Sequence, residues 1–419
     1  MHVCSSGGMS RRRFVGLLGA AGLAYGAVSA DTQVFAGKKD YSADGVKNHD
    51  ANGPSHQFAE SNPSCWGGLA AGNGYSLEVL RHLNAHLPFH FEIQQNFDRP
   101  VINARTHIPG RCFEGGVALK VGSLYRLFTC EYKRGNYDAP TTLPYWVSPD
   151  GKRWRFKSIA VDTVPPARDG KGFIPWEPTP IFDRRENRWY LFFVAYNDRN
   201  QDGQIRMMAS AVKGYDHGID GPWHDQGVIM RPDADSQPWE GPQGVDSFYP
   251  YQANGRWYAM YGSSTWSPTN PHPLWPVGLA SAPALKGPWK RCQGNPLKVE
   301  KVYWENPLVS RVGDWYVAVY DAVAPGAPTY IHNGGHIAGY TCSKDGIHWL
   351  PGGRILVQPN GPANWSSDLR TPMGLIPEGK GIYTMFYTGF MKGAGRVFTR
   401  YESVGMVRLR IVWHHLGAN

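Results

Sequence analysis

Trp304-Glu305-Asn306-Pro307-Leu308-Val309-Ser310-Arg311-Val312-Gly313-Asp314-Trp315-Tyr316-Val317-Ala318-Val319-Tyr320 is the stretch that decides the fold. It reads as a carboxylate at the mouth of a short apolar strand, a Gly-Asp turn, and a second strand of aromatic and β-branched residues. The same pattern is written four more times. Glu114 leads 117–121, a Gly122-Ser123 turn and 124–129, and Glu177 leads 179–182 and 189–194. Asp246 leads 247–252, an Asn254-Gly255 turn and 257–262, and Asp368 leads 371–376, a Gly-rich turn and 382–388. The acids recur at intervals of roughly sixty residues, the mark of a repeat architecture.

Each repeat has a second half. Tyr145-Trp146-Val147-Ser148-Pro149-Asp150-Gly151-Lys152-Arg153-Trp154 is matched by Tyr340-Thr341-Cys342-Ser343-Lys344-Asp345-Gly346-Ile347-His348-Trp349. Ala209-Ser210-Ala211 with Gly221-Pro222-Trp223, and Ala280-Ser281-Ala282 with Gly287-Pro288-Trp289, fill the repeats between them. These predict a third strand, a turn, and an outer fourth strand opened by Trp. The fifth repeat has its third strand at 403–411 and no clear fourth, which Pro100-Val101-Ile102 is expected to supply. Four strands in each of five repeats predict an all-β, five-bladed β-propeller with antiparallel blades. The inner hairpins are apolar on both faces, as sheets sandwiched between neighbours require, and closure of the ring removes exposed edges. A β-sandwich also has short strands at regular spacing, but it gives no reason for acids in phase.

The propeller is expected over 97–413. Residues 64–96 carry one helical pattern, Leu77, Val79, Leu80, Leu83 and Leu87, and read as an N-terminal cap. Residues 31–63 are polar and without periodicity, so they read as a flexible spacer. At the start, Ser10-Arg11-Arg12-Arg13-Phe14 precedes the apolar run 15–28 and a cleavage point at Ala30, a twin-arginine-type export signal over 1–30. A membrane anchor is the competing reading, but the run falls short of the roughly twenty residues a spanning helix needs. The expectation is a periplasmic or secreted protein with no stable membrane span after processing. The formal charge is +9, yet no Lys/Arg block is interleaved with aromatics, which argues against nucleic acid. Behind Cys4, Cys65, Cys112, Cys130, Cys292 and Cys342 lack metal-ligand spacing, although Cys112 and Cys130 flank one hairpin closely enough to meet.

In a propeller the first strand of every blade lines the central channel. Glu114, Glu177, Asp246, Glu305 and Asp368 should therefore face one axial pocket, where like charges raise one another's pKa. An acid at a strand start also caps turns, which is the better reading of any single one; five together point to a site. Trp176 and Trp304 immediately precede acids, and Trp365 and Trp239 lie a few residues ahead of others. Trp around an acidic pocket suits stacking on sugar faces. Their competing role is blade packing. His336 is within reach of the pocket from blade four.

The pattern resembles the five-bladed propeller glycosidases, chiefly glycoside hydrolase family 43 and its relatives in families 32, 62 and 117. Val245-Asp246-Ser247-Phe248 is similar to that family's blade-three motif, Trp304-Glu305-Asn306-Pro307 to its blade-four Glu-x-Pro, and Trp176-Glu177-Pro178 to its blade-two Trp-x-Pro. The resemblance spans about 97–413 and implies a carbohydrate substrate cleaved at a glycosidic bond. It implies Glu305 as general acid, Asp246 as the neighbour that keeps its proton affinity high, and Glu114 as the base that activates water, with inversion. It implies Glu177, Asp368, Arg370, Trp176, Trp304, Trp239 and Trp365 as substrate-binding residues. No cofactor or metal ligand set is required, although a structural cation in the channel would be compatible. Two departures stand out. Glu114-Gly115-Gly116 replaces the family's Asp-Pro, and Asp368-Leu369-Arg370 lacks its ion-holding His. Glu240-Gly241-Pro242 imitates the acid motif ahead of its strand and reads as a decoy. The competing functions are a non-catalytic glycan-binding propeller, a glycoside phosphorylase and a protein-interaction propeller.

Overall fold

The computed structural model describes residues 77–103, 112–132, 140–165, 172–197, 201–267, 270, 273–301, 303–323, 336–355, 365–366, 368–390 and 402–414. The expected export signal and spacer, Cys4 and Cys65, and the side chains of Asp368 and Arg370 lie outside the described residues.

A short helix, α1 (Leu77–Leu83), leads into β1 (Phe89–Asn96). Blade one follows as β2 (Cys112–Val121), β3 (Leu124–Tyr132), β4 (Thr141–Ser148) and β5 (Arg155–Asp162). Blade two is β6 (Ile174–Asp183), β7 (Arg188–Tyr196), β8 (Gln204–Lys213) and β9 (Trp223–Met230), with the one-turn helix α2 (Tyr215–Gly218) between its last two strands. Blade three is β10 (Val245–Ala253), β11 (Arg256–Ser263), β12 (Val277–Ala282) and β13 (Lys290–Arg291). Blade four is β14 (Trp304–Val312), β15 (Trp315–Val323), β16 (His336–Ser343) and β17 (Gly353–Ile355). The last three strands are β18 (Asp368–Gly379), β19 (Ile382–Phe390) and β20 (Ser403–Trp413). They pair into five four-stranded antiparallel sheets, each in chain order except the fifth, which runs β1-β20-β19-β18. The protein is a five-bladed propeller.

Local sequence sets the hairpins. Asn254 and Gly255 have φ of 50° and 74°, the two positive values that a type I′ turn needs and that match the twist of the flanking strands. The outer turns use side chains. Ser148 Oγ accepts from Gly151 N at 2.9 Å, and Asp150 Oδ1 accepts from Lys152 N and Arg153 N at 2.9 and 2.8 Å. Ser343 and Asp345 repeat this arrangement on Gly346, Ile347 and His348. Beyond the acids, the channel continues as an apolar cavity of about 470 Å³. Ala118, Ile181, Tyr249, Leu308 and Leu375 line it, one from the first strand of each blade.

The fourth strand of the fifth blade differs from expectation. Ile102 makes a single bridge to Val404, and the strand is β1, inside the segment expected to be a cap. The helical pattern stops at Leu83, and Asn84 clamps the chain to blade four by bonding both ways with the Arg354 backbone at 3.0 and 2.8 Å. From Phe89 the period changes to two, with Phe89 and Phe91 buried. Tyr340 Oη donates to the Phe89 carbonyl at 2.6 Å, and Phe89 packs edge-on against Trp413. Strands from the two ends of the described chain thus close the ring. Cys130 is a free, buried thiol, so the expected meeting with Cys112 makes no disulfide. Among the described residues, no helix is long and apolar enough to cross a membrane.

Phe89→Ala removes a fully buried ring from this closure and should cost about 3–5 kcal/mol in urea unfolding. A loss below about 1 kcal/mol would show that β1 does not hold the ring.

Candidate active site

Every first strand carries a β-bulge at the level of the acids. The register slips between Phe113 and Gly116, Trp176 and Thr179, Val245 and Ser247, Glu305 and Leu308, and Leu369 and Pro372. A bulge inserts one residue, bends the strand and re-aims a side chain, and such features concentrate beside active sites. The backbone is specialised for it. Glu177 and Asn306 lie in the left-handed region at φ of 45° and 54°. Gly116 has φ of 146°, and a Cβ there would collide with the Phe128 carbonyl. Asn tolerates the left-handed region, but Glu177 is held there at a cost of roughly 1–3 kcal/mol.

The bulges also correct the phase of the acids. Glu114, Glu177 and Asp246 are the first residue of their bulge. In blades four and five that position belongs to Asn306 and Arg370. Glu305 lies one residue earlier, paired across the strands with Asp321, and Asp368 lies two earlier, paired with Phe390. Roughly sixty-residue spacing cannot resolve a one-residue offset. Asn306, which sequence reasoning missed, is 2% exposed and its Oδ1 is buried with no hydrogen-bond donor.

Glu114, Glu177, Asp246 and Glu305 are 4%, 5%, 7% and 9% exposed, and each meets a tyrosine. Tyr132 donates to Glu114 Oε2 and Tyr196 to Asp246 Oδ1. Tyr249 donates to Glu177 Oε2 at 3.2 Å, and Tyr303 lies 2.7 Å from Glu305 Oε2. Burial, then the adjacent carboxylate charge, raises the Tyr196 and Tyr249 phenols well above their ordinary range, so both remain donors. Burial is also the main reason that Asp246 is pushed well above the ordinary carboxylate range. The charge of Glu305 adds to it, the Tyr196 hydrogen bond opposes it, and the charge of Glu114 adds a smaller rise. Asp246 Oδ2 is buried without a donor. A carboxyl in that position is satisfied by holding a proton against Glu305. Glu114, Asp246 and Glu305 therefore share one buried cluster. Glu177 sits beside it, where a Cβ on Gly115 would come within 3.2 Å of its Oε1 and 3.0 Å of Thr371 Cγ2.

Of the tryptophans expected to stack on a ligand, Trp304 and Trp176 are buried, and Trp239 and Trp365 are partly buried. Trp304 is 1% exposed and packs edge-on against Tyr320 in the core of blade four. Trp176 is buried between Tyr132 and Tyr196, the two phenols that hold Glu114 and Asp246. Trp239 bonds Gln237 at 2.8 Å and packs on Tyr261, and Trp365 bonds the Asp98 carbonyl at 2.9 Å and stacks on Tyr387. An aromatic cluster packs around Tyr303, the phenol beside Glu305. Trp266 packs with Trp275 and Tyr303 in the segment after β11, next to the exposed Leu274. Glu240 is locked by Arg291 at 2.6 and 2.9 Å and by Tyr261 at 3.0 Å, which is a structural role. Among the described residues, no three His, Cys, Asp or Glu side chains stand where they could hold a metal ion.

No family model and no curated protein matches the chain. Solved structures do. A complex named for BT0996 and RGII superposes with a TM-score of 0.59 at 14% identity, over 80% of this protein and 95% of that one. A structure named "Glycoside hydrolase" gives 0.58 at 14% identity over 80% and 95%. A GH130 structure gives 0.50 at 11% identity over 76% and 93%. Its family is described as mannoside phosphorylases containing glycoside hydrolases that target beta-1,2 mannosidic linkages in Candida mannan. At these identities the likeness carries the fold.

Asp246 offers a test that needs no ligand. Its folded pKa is raised, so the stability it contributes is complete below its ordinary value of 3.8 and is lost as pH rises through the folded value. Asp246→Asn keeps an acceptor for Tyr196 and carries no charge. Its melting temperature should exceed wild type by about 2 °C or more at pH 8 and match it near pH 3. A variant less stable than wild type at pH 8 would contradict the raised value.

Proposed function

We propose that this protein is a glycoside hydrolase that cleaves a poly- or oligosaccharide by general acid/base catalysis. Glu305 is the acid, Asp246 the neighbouring carboxyl that shares a proton with it and keeps its proton affinity high, and Glu114 the base. The observation that carries the reading is the buried cluster in which burial and the Glu305 charge together push Asp246 up. Protonating a glycosidic oxygen at neutral pH needs a carboxyl that keeps its proton there, and two carboxyls forced together retain one between them. Glu114 accepts from Tyr132, an orientation suited to a carboxylate that draws a proton from water. Separation of acid and base by about 6.5–9.5 Å would leave room for that water and invert the anomeric centre. Glu177 and Asn306 would take sugar hydroxyls, with the partly buried Trp266 against an apolar sugar face. The likeness to a glycoside hydrolase structure supports the same chemistry on the same fold. The twin-arginine pattern supports action in the periplasm or outside the cell.

Released reducing sugar from a panel of plant, algal and fungal oligosaccharides tests this. Glu305→Gln should lose about 10²–10⁴-fold on the cleaved natural glycoside and far less on an aryl glycoside with a good leaving group. Glu114→Gln should fail on both, because the water loses its base. Equal losses on both substrates in Glu305→Gln would remove Glu305 as the acid. Turnover that requires inorganic phosphate would mark a phosphorylase, and tight binding without turnover a glycan-binding propeller.

A further inference from the structure

Behind Glu305 stands a row of buried polar groups. Tyr303 Oη lies 2.7 Å from Glu305 Oε2 and 3.0 Å from Asp321 Oδ2. His336 Nδ1 lies 3.1 Å from Asp321 Oδ1. The His336 and Asp321 side chains are 1% and 0% exposed. The row is built by the blade itself. Asp321 on β15 is the cross-strand partner of Glu305, and His336 opens β16 opposite Val323. Tyr303 precedes β14, bridges to Trp275, and meets the rings of Trp275 and His336 edge-on.

A phenol carries one proton, and here two carboxyl groups lie within reach of it. When Tyr303 donates to Asp321, its lone pairs face Glu305, and the proton between Tyr303 and Glu305 must come from Glu305 as a carboxylic acid. When Glu305 is a carboxylate, the Tyr303 hydroxyl turns to it, and Asp321 keeps the Nδ1–H of His336. The two orientations match the loaded and spent states of the acid. Tyr303 retains its own proton in both, so only the direction of a hydrogen bond reverses.

We propose that Tyr303, Asp321 and His336 are positioning residues that keep Glu305 loaded with its proton, through the negative charge that His336 holds on Asp321. This rests on Glu305 being the acid. Asp321 opposes ionisation of Glu305 from within blade four, while Asp246 shares a proton with it from blade three. Among the described residues, the other titratable groups around the cluster are Glu114, Glu177 and the phenols Tyr132, Tyr196 and Tyr249. The row explains why Glu305 sits one residue out of phase with Glu114, Glu177 and Asp246. The shift brings it opposite Asp321, where the relay can reach it.

The test is the protonation midpoint of Glu305, read by carbon-13 NMR of glutamate-labelled protein, the resonance being assigned by its loss in Glu305→Gln. Removing the Asp321 charge in Asp321→Asn should lower the midpoint by about one pH unit. In a Tyr303→Phe background the same substitution should move it much less, because the connecting hydroxyl is gone. His336→Asn, which presents an amide N–H near the place of Nδ1, should retain the wild-type midpoint, whereas His336→Ala should drift toward the Asp321→Asn value. A purely structural row would lower the melting temperature and leave the midpoint where it was. An unmoved midpoint in folded Asp321→Asn overturns the proposal. Glu305→Gln on the two substrate classes decides separately whether Glu305 is the acid, so failure of that role and failure of the row are distinguishable.

Discussion

Buried carboxylates of one sign are crowded into one channel mouth, and most of the fold answers to that crowding. Taking a carboxylate out of water costs several kcal/mol, and a hydrogen bond to a charged group returns roughly 1.5–3 kcal/mol. The tyrosine hydrogen bonds by themselves therefore fall short of stabilising four ionised groups. Part of the difference is met by keeping protons. Asp246, pushed up by burial and by Glu305, is where that is most evident. An environment that raises a carboxyl's hold on its proton is also what an acid catalyst needs. The feature that makes the cluster costly is the feature that makes it useful.

The scaffold must hold those groups rigidly, since a loose site would relax by admitting water. Three devices supply rigidity. The bulges fix the aim of Glu114, Glu177 and Asp246 through the backbone rather than through long side chains. Aromatic packing fixes the phenols, with Trp176 wedged between Tyr132 and Tyr196. Ring closure by β1 ties blade five to the start of the described chain, and Asn84 and Tyr340 tie that segment to blade four. Farther out, Arg291 on Glu240 and Arg354 on Glu300, at 2.5 Å, tie the outer segments of blades three and four.

Much of this was legible in the sequence, for physical reasons that also explain the gaps. The hairpins were readable because a strand, a positive-φ turn and a second strand have local rules, as at Asn254-Gly255 and in the two Ser-x-Asp-Gly turns. The pairing of Asp246 with Glu305 was readable from their place at the heads of neighbouring blades. Three things were not. β1 was hidden because Leu77–Leu87 suggests a helical period that runs into the strand. The one-residue offset of Glu305, and with it Asn306, was hidden because Trp-Glu aligns naturally with Trp-Glu, whereas the bulge aligns Glu177 with Asn306. Tyr132, Tyr196 and Asp321 were hidden because they sit toward the far ends of second strands, where a buried side chain reads as core. Trp176 and Trp304 were misleading for the converse reason. Next to an acid in sequence means the opposite face of the strand in space.

If the buried cluster acts on a glycosidic bond, the place to see it is a crystal structure of Glu305→Gln bound to the oligosaccharide that the wild-type protein cleaves. A glycosidic oxygen should lie within about 3.2 Å of the substituted side chain, with a water between Glu114 and the anomeric carbon. A sugar chain bound elsewhere on the propeller, with the cluster empty of ligand, would contradict that role.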